Sequence, residues 1–308
     1  MYLAVLVTPN LLVSLPVGTH VHGGNPRGII ELAKRAEGAG ADGIVLADHV
    51  LLGKHVDRYP WGKFPFPPDA PWLEPLTMLT AIAVATERLK LTTGILIVPL
   101  RPATLLAKTV STIDVLSGGR VELGVGTGWQ EEEFTAEGVD HASRGRILTD
   151  YVAACRALWR DSPASFKSPS VSFDDVWSEP RPLRDGGPPV LFSGTLTPRN
   201  VARIVELGDG WIPIMGETAE GIANGVEQLR AEYAAADRPP DDLRVRAPLP
   251  PRKGSEGAPS LPATLDGAEA LAELGVTDLN LPLTAFVRDE AGITPWFNEL
   301  GRLRGRGA

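Results

Sequence analysis

A chain of 308 residues with 43% hydrophobic and 22% charged residues has the composition of a globular protein long enough for a large α/β domain, which excludes the disordered and fibrous classes. A formal net charge of -8 argues against diffuse attraction to nucleic acid or anionic lipid and points to a small-molecule partner. A single cysteine, Cys155, excludes an internal disulfide and a cysteine-rich zinc site; with no secretion signal and no membrane-length apolar run, a reducing, cytoplasmic setting is expected.

Residues 2–8 form a short apolar run of the kind buried on both faces in a parallel sheet, and are predicted as the first strand. A helix follows, with Asn25 as its cap, Pro26 in its first turn, and Ile29, Leu32, Ala33 and Ala36 at helical spacing up to Gly38 and Gly40. Residues 43–47 read as a second strand that ends at Asp48-His49. A long Pro-rich and aromatic loop then precedes a helical pattern over 74–86.

Residues 89–98 read as the third strand and 103–116 as a helix that stops at Gly118-Gly119, followed by a fourth strand over 120–125. A helix over 143–160 places Cys155 in a packing stripe beside Leu148, Val152 and Trp159. Between Pro163 and Pro180 the pattern changes to short alternating segments, an insertion after the fourth βα unit.

The alternation resumes with a strand over 189–192, a helix capped by Thr197 with Pro198 at its first position, and a strand over 210–213. A helix over 219–236, a strand over 243–247, a helix over 267–274, a strand over 278–281 and a closing helix over 294–303 complete the pattern. Regular βα alternation without a break in composition predicts one α/β domain over 1–308, a (β/α)8 TIM barrel. Residues 248–262, dense in Pro and Gly, are expected to be its mobile loop.

In a barrel, chemistry sits in the loops that follow the strands. Asp48 and His49 lie at such an exit, where an imidazole can move a proton near neutral pH and a carboxylate can orient it or hold a cofactor hydroxyl; the pair also fits an ordinary surface loop. The run Gly124-Val125-Gly126-Thr127-Gly128-Trp129 lets backbone approach a flat ring or a phosphate, or makes a tight turn; its spacing is not that of a dinucleotide fingerprint. Ser193-Gly194-Thr195 gathers amides and hydroxyls at a helix start, as a phosphate site or as a plain helix cap. The aromatic loop brings Tyr59, Trp61, Phe64, Phe66 and Trp72, fit for a pocket lid or a subunit contact. His20 and His22 have no convincing third ligand, so no metal site is expected. Glu131, Glu132 and Glu133 read as an exposed, solvated turn.

Taken in order, four segments resemble the luciferase-like monooxygenase superfamily, and within it the branch of deazaflavin-dependent oxidoreductases: GADGIVLADHVLLG from Gly40, WLEPL from Trp72, LTTGILIVPLRPATLLAKTVSTIDVLSGGRVELGVGTGW from Leu91, and LGDGWIP from Leu207. The resemblance implies a cofactor across the barrel mouth, coenzyme F420 or alternatively FMN. It implies His49 as the catalytic proton-transfer group and Asp48 as a neighbouring cofactor contact. It further implies a bulge with a cis non-prolyl peptide involving Leu96 and Ile97 behind the middle ring, ring contacts from Thr127 and Gly128, and a phosphate-side loop of Ser193, Gly194 and Thr195.

Two positions depart from the pattern. Trp129 stands where sugar-phosphate dehydrogenases of the superfamily carry a glutamate, which argues against that activity, and Ser193-Gly194 replaces the paired glycines of many relatives. The expected function is hydride transfer between F420 and a small organic substrate, by a cytoplasmic homodimer without nucleic-acid or membrane partners. An FMN-dependent monooxygenase using O2 and a non-catalytic cofactor-binding barrel are the alternatives.

Overall fold

The computed structural model describes residues 9–16, 25 and 27–305. Along it, strands and helices alternate as β1 (Asn10–Ser14), α1 (Gly28–Gly38), β2 (Gly43–Leu46), α2 (Pro75–Ala83), β3 (Lys90–Thr93), β4 (Leu96–Ile97), α3 (Ala103–Ser117), β5 (Val121–Gly126), α4 (Glu131–Ala136) and α5 (Arg144–Arg160). A hairpin, β6 (Ala164–Lys167) and β7 (Ser172–Val176), interrupts the series at the expected place after the fourth βα unit. The chain then continues through β8 (Val190–Ser193), α6 (Pro198–Leu207), β9 (Gly210–Ile212), α7 (Ala219–Ala235), β10 (Arg244–Pro248), α8 (Leu261–Leu265), α9 (Ala268–Glu273), β11 (Asp278–Pro282) and α10 (Ile293–Leu303).

Every barrel pairing is parallel, and β3 pairs with both β2 and β5 (Leu91 beside Val121), so the sheet closes into the eight-stranded barrel that the alternation predicts. β4 continues the third strand beyond a bend and lies beside Val125 and Gly126. β1 sits between β11 and β2. This corrects the expected position of the first strand: residues 2–8 lie outside the described residues, and Asn10–Ser14, within a stretch read as loop, is the strand. Both runs are apolar, so periodicity had no means of choosing between them; pairing of Leu12 with Gly43 and Asn280 decides it.

Two populations of side chains follow from strand alternation. Leu11, Val13, Ile44, Leu91, Leu123, Val125 and Val245 join Leu32, Leu79, Val110, Val152, Cys155, Ile204 and Leu300 from the helices in the core between barrel and helical shell. The barrel interior is ionic instead. Arg244 donates to Glu122 at 2.8 Å and to Asp278 at 2.9 Å, and both of these carboxylates have almost no exposure. Burial pushes the Asp278 carboxyl up, but Arg244 and the Thr277 hydroxyl outweigh it and hold it below the usual carboxylate range.

Local signals perform as written in the sequence at several ends. Gly118 ends α3 at φ 71°, and Thr197 caps α6 by accepting from the Asn200 amide. Segment 248–262, expected to be mobile, has local structure: Lys253 bridges Pro259, the Gly254 amide donates to Ala258 at 2.9 Å, and Ser260 caps α8. Gly and Pro there serve turns and a helix start. Among the described residues no helix is long and apolar enough to cross a membrane.

Candidate functional site

A cavity of about 410 Å³ opens at the C-terminal ends of the strands, lined by loops after β2, β4, β5, β8, β9 and β10. Its volume falls within the range of small-molecule and cofactor sites.

His49 lines this cavity and is itself buried. Its Nδ1 stands 3.0 Å from Oε2 of Glu133, whose side chain has no exposed surface. A carboxylate only accepts, so Nδ1 carries the proton and donates it to Glu133, which leaves Nε2 as the ring's free edge. Among the described residues Nε2 has no hydrogen-bond partner. The other oxygen, Oε1, accepts from the Val50 amide at 2.9 Å, and Gln130 holds Gly53 through its amide oxygen and nitrogen. Thus α4, from the loop after β5, fastens the first residues of the loop after β2. This corrects the reading of Glu131, Glu132 and Glu133 as a solvated turn: in a helix, position 133 shares the inward face with Phe134 while Glu131 faces out.

Asp48, which the resemblance implies as a cofactor contact, lines the cavity and has its carboxylate bonded within the protein. Its carboxylate accepts from the Ile97 amide at 2.8 Å and takes the fork of Arg101, Nη1 to Oδ2 at 2.7 Å and Nη2 to Oδ1 at 2.9 Å. With no exposed side-chain surface, only its backbone reaches the cavity. Arg101 also donates to Glu74, which caps α2 through the Thr77 amide. Burial alone would pull the Arg101 pKa down, but Asp48 and Glu74 raise it above the ordinary value; burial likewise pushes Glu74 up, and Thr77 and Arg101 bring it below the usual range.

The cis non-prolyl peptide is present, but between Gly94 and Ile95 rather than at Leu96 and Ile97. Gly94, Ile95 and Ile97 line the cavity, whereas Leu96 turns into the main core, because successive residues of an extended segment face opposite ways. Thr127, Gly128 and Trp129 line the cavity as expected of that loop, with Gly128 at φ 72°. Ser193 and Gly194 line it too. Thr195 does not: it is exposed, and its carbonyl accepts from the Thr197 amide and the Asn200 side chain, a use that belongs to the start of α6.

The aromatic loop forms the outer wall. Trp72, Phe64 and Trp129 surround the His49 ring at centroid distances of 4.7, 5.7 and 6.0 Å, and Tyr59 meets Phe64 and Trp129 at 5.2 and 5.3 Å. These edges are apolar or weakly polar, so they shield the buried imidazole from solvent and strengthen its bond to Glu133. At the floor lie Arg246 and Asn280, neither singled out from sequence. A signal was available. Arg244 and Arg246 are two apart on a strand, so both point to one face, and the only charged face a closed barrel can offer them is its interior.

A protein of Mycobacterium tuberculosis is 34% identical over 166 residues, 54% of this chain and 58% of its own length. An FMNH2-dependent dimethylsulfone monooxygenase of Pseudomonas putida is also 34% identical over 166 residues, 53% of this chain and 45% of its own. The chain thus spans about half the length of these curated relatives. Among solved structures, an F420-dependent secondary alcohol dehydrogenase in complex with an F420-acetone adduct superposes with a TM-score of 0.70 at 17% identity, covering 94% of this chain and 98% of that one. The family profile described as luciferase-like monooxygenase matches residues 10–252, which takes in β1 to β10, the His49 exit and the glycine loop: the chain belongs to the luciferase-like monooxygenase family.

Proposed function

We propose that this protein is an oxidoreductase that uses coenzyme F420 to transfer a hydride to or from a small organic substrate, with His49 as the proton-transfer group. The observation that carries the reading is the buried His49, oriented by Glu133 and presenting an unpartnered Nε2 to a largely apolar cavity. When bound, the deazaflavin would accept or supply the hydride. His49 Nε2 would take the proton of a substrate hydroxyl as the hydride leaves its carbon, or in the reverse direction give a proton from the imidazolium to a carbonyl oxygen as the hydride arrives, while Glu133 holds the ring and stabilises its protonated form.

The residues present fit such a cofactor. The cavity has room for a flat heterocycle, and Gly94 and Gly126 let the Val45 and Ile95 side chains pack where a Cβ at either position would collide with them. Thr127, Gly128, Ile97 and the Gly94–Ile95 peptide would contact the ring, and Ser193 and Gly194 would lie toward its phosphate side. Tyr59, Trp61, Phe66 and Met215 at the mouth favour an apolar or aromatic substrate. Trp129 accepts no proton, which agrees with a substrate other than a sugar phosphate.

A second reading, an FMN-dependent monooxygenase, is favoured by the sequence likeness to the Pseudomonas putida enzyme. Titrating the purified protein with F420 and with FMN, followed by Trp fluorescence, separates the two: tight FMN binding with no affinity for F420 would overturn the first. The reading also carries a homodimer, supported by exposed Val84, Leu105 and Leu116 on the α2 and α3 side of the barrel, and checked by light scattering.

A further inference from the structure

Arg246 is among the largest fully buried side chains of the protein, and it lines the cavity floor. One of its donors is used: Nη1 donates to the Thr93 carbonyl at 2.9 Å. Among the described residues Nε and Nη2 are buried and have no hydrogen-bond partner. Nη2 faces Glu122 at 3.5 Å, beyond a well-made bond. Room for the guanidinium to cross the barrel comes from Gly124, where a Cβ would stand 3.2 Å from Nη1.

The charges around it do not balance. Lys90, Arg244 and Arg246 share the two carboxylates Glu122 and Asp278, an excess of one positive charge. Lys90 and Arg244 keep 30% and 20% of their side-chain surface at the far end of the barrel, while Arg246 keeps 2% at the cavity end. Solvent therefore screens the first two and not the third. Burial pulls the Arg246 pKa down against the pull of Glu122 and Asp278, yet a guanidinium keeps its proton in proteins. A buried cation with two idle donors is expensive unless something pairs with it.

We infer that Arg246 is an anion-binding group at the cavity floor, placed to pair with a negatively charged acceptor edge brought in by a ligand. The inference rests on the reading of this cavity as the cofactor and substrate site. Two sources carry that chemistry: the pyrimidine edge of the reduced cofactor, anionic at neutral pH, and the carboxylate of a substrate.

The test measures dissociation constants for wild type, Arg246→Met and Arg246→Lys with oxidised and anaerobically reduced F420 and FMN, and with benzoate against neutral benzamide. If the ring is the source, Arg246→Met weakens the reduced form at least tenfold more than the oxidised form and Arg246→Lys less so; each tenfold lowers the two-electron potential of bound cofactor by about 30 mV. If a substrate is the source, the selective loss falls on benzoate over benzamide. Equal loss, or none, across both pairs overturns the inference. Should Arg246→Met not fold, wild type decides together with Arg246→Lys: no preference for the anionic member of either pair in wild type, or a preference that Arg246→Lys leaves unchanged, overturns it. Wild type that binds neither cofactor defeats the proposed function, and benzoate against benzamide still decides the role of Arg246.

Discussion

Glu133 of α4 and His49 at the end of β2 meet across the barrel mouth, Oε2 and Nδ1 3.0 Å apart, although 84 residues separate them in the chain. The same carboxylate holds the Val50 amide, so one side chain both orients the imidazole and shapes the loop that carries it. Replacing Glu133 with Gln keeps the size but offers a neutral partner. The expected result is a kcat lower by roughly tenfold or more with KM little changed and a displaced pH profile, whereas His49→Ala loses about 10²-fold or more. Unchanged kcat and pH profile in Glu133→Gln would reduce the contact to packing.

Asp48 is expected to matter for folding rather than for cofactor contact. Asp48→Ala leaves the Ile97 amide without its acceptor and Arg101 with Glu74 alone, and should lower stability by about 3 kcal/mol in urea denaturation. A loss below about 1 kcal/mol with a large drop in cofactor affinity would return Asp48 to the ligand.

Gly128 sits at φ 72°, and a Cβ there would lie 2.7 Å from Ile97 Cγ2. Gly128→Ala should therefore cost roughly 2 kcal/mol and weaken cofactor binding, because Ile97 must move and it lines the same cavity. Thermal melts and cofactor titrations check the two effects separately.

Trp61 is 42% exposed at the mouth. Trp61→Ala is expected to leave stability within about 0.5 kcal/mol and raise the KM for an apolar substrate several-fold. A change in Tm without a change in KM would assign it to structure.

The Cys155 thiol is buried against the Ala103 carbonyl, and burial pushes its pKa up to about 12. It should resist thiol reagents in the native state and react at once in denaturant. The unfolded thiol ionises near pH 8.5, so the contribution is intact below that pH and is lost from about 8.5 upward to about 12, by about 1.4 kcal/mol per unit. Cys155→Ala should flatten that alkaline slope in denaturant unfolding at a series of pH values.

Much of this was legible along the chain. Ile29, Leu32, Ala33 and Ala36 face the core as their spacing requires, Thr197 caps its helix, and His49 lies at a strand exit within the cavity. Each of these depends on a few neighbouring residues, and local periodicity reports which face is buried. Glu133 was misjudged because three consecutive glutamates read as solvated, and only the direction of α4 reveals that the third points inward. Thr195 and Leu96 were implied at the site by the family resemblance, but alternation along extended backbone turned Leu96 into the core, and the start of α6 took Thr195.

Sequence alone determined the βα alternation, the insertion after the fourth unit and the position of the imidazole, since all three are written in short-range pattern. Only the tertiary structure decided that Glu133 grips His49, that Asp48 is taken by Arg101, and that two of the buried donors of Arg246, beside the cavity, have no hydrogen-bond partner among the described residues. Those facts depend on which strands adjoin once the barrel closes, and closure sets the distances and the loss of water that make a charge paired or unpaired.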